Sequence, residues 1–351
     1  CHRRLACCYP TILSQPWRLP MKNSRLLIAS IFVVIASACS SPTATTSTDT
    51  TPNEVTLLAY DAFTPKDGIF DAFTAATGTK VKVVTSGDTG TLISKAIFTA
   101  GNPEGDVLWG LDNTLLSRAQ KAELLTSYEP VDYGDICVNY DKQWFASRNI
   151  APPTSLEDLA LPTYKNLLVT QDPVASSPGL GFLLGTIAHF GADDWQNYWK
   201  SLKANGVHIA PDWTTAYTID FSGSSGKGKY PLVVSYGSSP PAEVLYAEKP
   251  IDTPPTAVIA STCFRQTEYV GALRGTRNPN LAAKLISYLL DVPFQESMPL
   301  SLFVFPVNKK ATLPDLFTKF AVAPKNPLTL DPADIEKNRD AWLSSWRDII
   351  L

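Results

Sequence analysis

From Val55 onward, short apolar runs alternate with amphipathic stretches. Val55-Thr-Leu-Leu-Ala59 reads as a buried strand with Tyr60-Asp61 at its C-terminal end. A helix is predicted from near Pro65, with Ile69, Phe70 and Phe73 on one face and a stop at Gly78. Lys80–Val84 follows as a strand with Val81 and Val83 alternating. Gly87-Asp88-Thr89-Gly90-Thr91 then turns into a helix carrying Leu92, Ile93, Ala96 and Ile97. Asp106–Trp109 is a third strand, ending at Gly110-Leu-Asp112-Asn113. This strand–helix–strand alternation predicts a parallel, doubly wound sheet. Ligands of such sheets lie beyond the strand C-termini, where Tyr60, Asp88 and Asp112 fall.

The pattern continues with longer strands. Val131–Tyr140 and Lys165–Thr170 read as strands. Ser176-Ser177-Pro178-Gly179 leads into an apolar helix with Leu180, Leu183, Leu184 and Ile187. A Ser ahead of Pro at a helix start suits an N-cap, and the free N–H groups there can also hold an anion. Trp195 and Trp199 are four apart on a helix face, as are Trp342 and Trp346, and both pairs are read as core. Trp213 differs, because it lies in a loop between Pro211-Asp212 and Thr214-Thr215-Ala216-Tyr217. Leu232–Ser235 is a strand ending at Tyr236-Gly237-Ser238-Ser239-Pro240, and Phe264–Gly271 is another. After Pro279 a helix face is built from Leu281, Ala282, Leu285, Ile286 and Leu289, and Asp331-Pro332 opens the last helix. No internal repeat is evident.

The N-terminal region follows different rules. Lys22 and Arg25 after Met21 form a short positive region. Leu26–Ala38 is a 13-residue apolar or small run, too short to span a bilayer. It ends Ala36-Ser37-Ala38-Cys39, which resembles a lipobox, so residues 21–38 are expected to be a lipoprotein signal peptide and Cys39 the lipidated residue. Residues 1–20 precede that signal and are expected to be an upstream extension. Residues 39–54, rich in Ser and Thr, are expected to be a tether.

Composition narrows the class of the body. At 351 residues, 44% hydrophobic and 18% charged, the chain is globular and long enough for two lobes. The first 38 residues hold five basic and no acidic groups. The remainder carries 25 basic against 33 acidic residues, a net −8. No basic patch points to nucleic acid. Of six Cys, Cys1, Cys7 and Cys8 precede the signal and Cys39 is the lipid site. Cys137 and Cys263 remain, as a disulfide, as two buried thiols, or with one as a catalytic thiol. The body's two His, His189 and His208, lack metal-ligand spacing, and no metal or other cofactor is expected.

The residues predicted at strand ends and loop starts form one chemical set: Tyr60, Asp88, Asp112, Ser176, Ser177, Trp213, Tyr236, Ser238 and Ser239. They offer three aromatic rings, two carboxylates and several hydroxyls, with no acid–base His. Rings with a carboxylate suit a flat cation, since a ring face stabilises a cation by about 0.5–2 kcal/mol. Hydroxyls and backbone N–H groups suit amines or a phosphate.

In order and spacing, Tyr60-Asp61-Ala-Phe63, Gly110-Leu-Asp-Asn113, Val131-Asp-Tyr-Gly134, Gln171-Asp-Pro173, Pro178-Gly-Leu-Gly181, Trp213 and Ser235-Tyr236 resemble the thiamine-binding substrate-binding proteins of bacterial ABC importers. The likeness runs over about residues 55–351. It implies an α/β, two-lobed type II periplasmic-binding-protein fold, each lobe a doubly wound sheet flanked by helices. Residues 55–135 and 264–351 would form lobe 1 and residues 136–263 lobe 2, with Val131–Tyr140 and Phe264–Gly271 crossing between them. The resemblance also implies a ligand set. Tyr60, Trp213 and Tyr236 would surround the thiamine rings. Asp88 and Thr89 follow the second strand. Ser176 and Ser177 face the phosphate or hydroxyethyl end, and Gly237, Ser238 and Ser239 continue the Tyr236 loop. Three departures stand out: Ala242 and Phe303 replace aromatics of some members, and the Leu125–Val131 connection is much shorter.

Thiamine or its phosphates, ABC permease subunits and, through the anchor, the outer face of the cell membrane are thus the expected partners of a monomer that is not an enzyme. The alternatives are a binder of the same fold for a polyamine or ferric ion, and a thiaminase-like enzyme using a Cys. If Cys137 and Cys263 lie in the crossing strands, they can instead bond one another and brace the hinge.

Overall fold

The computed structural model describes residues 54–224 and 228–351. The expected upstream extension, signal peptide, lipid site Cys39 and tether lie outside the described residues. Among the described residues, no helix is long and apolar enough to cross a membrane.

The chain begins β1 (Glu54–Ala59), α1 (Asp71–Thr77), β2 (Lys80–Thr85), α2 (Thr89–Phe98), β3 (Val107–Asp112) and α3 (Leu116–Lys121). The middle comprises β4 (Leu125–Asp141), α4 (Lys142–Arg148), β5 (Leu168–Gln171), α5 (Ser177–Ala204), β6 (His208–Ala210), β7 (Leu232–Tyr236) and α6 (Pro240–Leu245). It closes with β8 (Thr256–Leu273), α7 (Pro279–Leu289), α8 (Val292–Ser301), β9 (Phe305–Pro306), α9 (Asp315–Phe320) and α10 (Pro332–Ile350).

The strands form one sheet in the order β2-β1-β3-β8-β4-β7-β5-β6, with β9 on β4. The flanks are parallel, β1 with β2 and β3, and β5 with β6 and β7. The middle is antiparallel, where β8 pairs with β3 and β4, and β4 with β7. Wholly parallel winding therefore holds only at the flanks. The two long strands run in opposite directions and belong to both halves, so the sheet must become mixed where they pass. They pair over nearly their whole length, with register shifts between Pro130 and Asp132 and between Ile136 and Val138. The short Leu125–Val131 connection is the start of β4, paired with Leu273 and its neighbours.

Local chemistry explains the element ends. Gly68 at φ 71° interrupts the helix expected from Pro65, so α1 starts only at Asp71. Phe70 instead packs its ring 5.9 Å from Phe294. Ser176 precedes α5 at its N-cap and Pro178 occupies its first turn. Within this span two helical segments abut at Gly191, whose backbone is non-helical (φ 78°, ψ 176°). Trp199 is fully buried, donates from Nε1 to Thr186 Oγ1 (2.9 Å), and meets Trp346 of α10 edge-on at 5.7 Å. The paired tryptophans thus weld the helical layer. Val55, Leu57, Trp109, Leu285 and Phe294 form a core on the β1–β3 side. Leu180, Leu183, Val234 and Phe264 belong to the larger one. A smaller cluster of Val169, Ala216, Tyr217, Phe221 and Val233 backs Trp213.

Cys137 of β4 and Cys263 of β8 form a disulfide, with Cα atoms 4.2 Å apart. It cross-links the two crossing strands, beside the second register shift.

Candidate functional site

Loops from both flanks of the sheet converge on a cavity of about 500 Å³. Tyr60 arrives just after β1, Asp88 and Thr89 at the start of α2, Trp213 just after β6, and Tyr236 at the end of β7. This is the strand-end placement that open α/β sheets offer a ligand.

The rings are held by a defined set of bonds. Trp213 and Tyr217 stack at 5.1 Å with an 11° interplanar angle. Tyr217 is four residues on, in the π-helical turn Thr215–Asp220, and its hydroxyl donates to Glu243 Oε1 (2.6 Å). Tyr236 is tilted 58° to Trp213 at 6.4 Å. Trp213 Nε1 donates to Ser235 Oγ (3.0 Å), Ser235 and Ser239 share a hydroxyl–hydroxyl bond (2.9 Å), and Tyr236 N–H donates to Ser239 Oγ (3.2 Å). One chain of bonds therefore sets two rings at once. One edge of the Tyr60 ring abuts Gly110 of β3, where a Cβ would come within 2.5 Å of it. Its hydroxyl donates to Glu268 Oε2 (3.2 Å). At the far wall, Phe303 takes a left-handed backbone (φ 55°) and meets Tyr246 edge-on at 5.8 Å. A bulky non-glycine residue in that region is strained, and Ser238 Oγ secures it by donating to the Phe303 carbonyl.

Asp88 joins the two sides. Its Oδ2 accepts the backbone N–H of Trp213 across the cavity (2.9 Å). Burial pushes its carboxyl up, while the Ser176 hydroxyl and the Trp213 N–H pull it back. Burial pushes Glu268 well above the usual carboxylate range, with Asp132 and Asp112 adding to the effect. The Tyr60 phenol rises for the same reasons, burial first and then Glu268.

The structure divides the expected ligand set. Tyr60, Asp88, Thr89, Trp213, Tyr236 and Ser239 line the cavity. Asp112, Ser176, Ser177, Gly237 and Ser238 are not in the lining. Asp112 is fully buried, accepts the N–H groups of Thr114 and Leu115 (2.8 and 3.2 Å), and also accepts from Gln266 Nε2 (2.8 Å) and Ser177 Oγ. It thus ties α3 to the start of α5. Gly237 donates to the Asp135 carbonyl and accepts from Val322 N–H, both at 2.8 Å, where a Cβ would strike the Val322 carbonyl at 2.3 Å.

Sequence reasoning did not include Tyr217, Glu243, Tyr246 or Glu268, all of which line the cavity. Two carried a signal. Tyr217 has helical spacing from Trp213. Gln266 and Glu268 fall on the same buried face of the strand as Phe264 and Val270, an unusual place for polar residues. Of the histidines, His189 bonds Glu157 (2.6 Å) and His208 stacks on Tyr230 (4.8 Å), and neither lines the cavity. Among the described residues, no group of three or more His, Cys, Asp or Glu side chains is placed to hold a metal ion.

Two parallel flanks joined by a pair of shared strands, with rings and acids facing each other between them, are the anatomy of a clamp for small solutes. The chain belongs to the bacterial extracellular solute-binding proteins, whose family profile matches residues 111–322. Within that class it is 30% identical over 315 residues to the thiamine-binding periplasmic protein of Escherichia coli (strain K12), covering 84% of this chain and 92% of the relative. A solved periplasmic thiamin binding protein superimposes with a TM-score of 0.75 at 29% identity, covering 85% of this chain and 96% of that one. Iron-bound HitA from Pseudomonas aeruginosa shares the fold, with a TM-score of 0.68 at 20% identity, 86% of this chain and 100% of that one being covered.

Proposed function

We propose that this protein captures thiamine, or a thiamine phosphate, between its two lobes and hands it to the permease of an ABC importer. The observation that carries this reading is the cavity itself: Trp213, Tyr217, Tyr236 and Tyr60 ring a site of about 500 Å³ that also presents Glu268. Flat aromatic faces favour a planar heterocycle, and their quadrupoles and an acid favour one with a positive charge. Thiamine has two flat rings, one of them permanently cationic. The similarity to thiamine-binding periplasmic proteins over most of the chain supports the same ligand.

The lobes are residues 55–135 with 264–351, and residues 136–263. The crossing strands β4 and β8 are their hinge, and ligand contacts from both sides favour the closed form. The ligand set comprises Tyr60, Asp88, Thr89, Trp213, Tyr236 and Ser239 around the rings. Asp112, Ser176, Ser177, Gly237 and Ser238 support it from behind. The protein acts by binding and not by catalysis, as a monomer. The signal at residues 21–38 directs it out of the cell, and lipid on Cys39 holds it at the outer face of the membrane.

Calorimetric titration with thiamine, its mono- and diphosphate, and spermidine tests the ligand. Binding of a thiamine compound at least a hundredfold tighter than spermidine is expected, and the reverse order would refute the reading. Mass spectrometry of Cys39 tests the anchor.

A further inference from the structure

Three acids stand side by side beneath the rings. The register pairs Asp112 of β3 with Glu268 of β8, and Glu268 with Asp132 of β4. Cross-strand partners project from the same face of a sheet, so their carboxyl groups form one row. Their exposures are 0%, 4% and 0%, and only Glu268 reaches the cavity.

Like charges directly opposite each other on adjacent strands repel, and burial strengthens the repulsion. The hydrogen bond from the Tyr60 hydroxyl relieves it only in part. Tyr60 approaches from the end of β1, Asp112 from β3, Asp132 from β4 and Tyr236 from the end of β7. None of these is a cation. Arg265 of β8 is held by Asp135 at 2.5 Å, and Arg339, which feels Asp112, pairs with Asp340 at 3.1 Å. Asp112 is engaged by the donors described above. Asp132 differs, since among the described residues neither of its oxygens accepts from an N–H or O–H donor. Its neighbour is the Glu268 carboxyl. Two carboxyl groups bond each other only when one carries a hydrogen. Burial pushes Asp132 up to about 8, so at neutral pH the pair keeps a proton.

We propose that Glu268 is the counter-charge for a cationic ligand, and that the Glu268–Asp132 pair releases its shared proton to solvent as that cation enters. Resting on the proposed thiamine reading, this adds a proton to the binding equation. A protonated pair plus the cation gives the cation on two carboxylates and one H⁺ in water. Ligand charge is thereby sensed at the strands that form the hinge, and a neutral molecule of the same shape leaves the proton in place.

The test is calorimetry with thiamine at pH 7.5 in two buffers of different ionisation enthalpy, with the dissociation constant followed from pH 6.5 to 8.5. Expected is release of about half to one proton, so that affinity rises about three- to tenfold per pH unit. Asp132→Asn should bind thiamine with a smaller release, since burial of Glu268 remains. Wild type should prefer thiamine at least tenfold over its uncharged isostere, in which a thiophene replaces the thiazolium, and Glu268→Gln should lose that preference. Tight thiamine binding with no proton released overturns the inference and leaves the thiamine reading standing. Failure to bind thiamine at all overturns both. Should either variant fail to fold, the wild-type two-buffer measurement decides alone.

Discussion

Replacing Trp213 by Ala removes the central ring of the cavity while sparing the backbone bond that closes it. The Asp88 carboxylate accepts from the Trp213 main-chain N–H, so the link between the two sides of the cavity survives the substitution. What is lost is an indole face that stacks at 5.1 Å on Tyr217 and stands 6.4 Å from Tyr236, together with the Nε1 bond to Ser235. A face-on cation loses about 0.5–2 kcal/mol with the ring, and apolar contact adds about 1 kcal/mol. Tyr217 lies parallel behind the vacated space and recovers part of this. The net expectation is about 1.4–2.7 kcal/mol, a ten- to hundredfold weaker thiamine complex. Trp213→Phe keeps a ring without the N–H and should fall between. Stability should change by only about 1 kcal/mol, the scale of one neutral hydrogen bond, since Trp213 is half-buried. Calorimetric titration of wild type and both variants, beside their thermal unfolding, measures the two quantities separately. Affinity of Trp213→Ala within twofold of wild type, with unfolding unchanged, would refute the stacking account.

Four further outcomes follow from other parts of the molecule. Asp132 and Glu268 have folded-state pKa values raised above their unfolded ones, so their protons stabilise the empty protein below about pH 4. That stability drains away as pH rises through about 8, and unfolding between pH 5.5 and 8.5 should show a downward slope that Asp132→Asn flattens. A Cβ at Gly90 would come within 2.6 Å of the Ala175 carbonyl, so Gly90→Ala should wedge the two sides apart. Weakened thiamine binding and a larger radius of gyration by X-ray scattering with ligand are expected, whereas unchanged values would show the backbone yielding. Reducing Cys137–Cys263 opens a link between residues 126 apart in sequence, worth about 5 kcal/mol by loop-closure entropy, and denaturant titration with and without reductant measures it. Asp88→Ala removes the acceptor for Trp213 N–H and should weaken binding about tenfold, whereas Asp88→Asn, which keeps an acceptor oxygen, should retain more, as titration will show.

Much of this protein was determined by the sequence alone, because the relevant information is local. Strand alternation at Lys80–Val84, the stop at Gly78, the Ser176–Pro178 helix start and the four-residue spacing of the core tryptophans each depend on neighbours a few residues away. The strand-end placement of Tyr60, Asp88, Trp213 and Tyr236 follows from that local order together with a general property of α/β sheets. Long-range pairing could not be read this way. Only the register of β3, β8 and β4 sets Asp112, Glu268 and Asp132 side by side, because the three acids lie on strands far apart in sequence. Only the fold turns Asp112, Ser177 and Ser238 inward to brace the walls, and brings Tyr217, Tyr246 and Phe303 to the cavity from three separate segments. Sequence spacing determines which face of an element a side chain occupies. What that face meets is decided when distant strands pair and the buried charges between them must be neutralised.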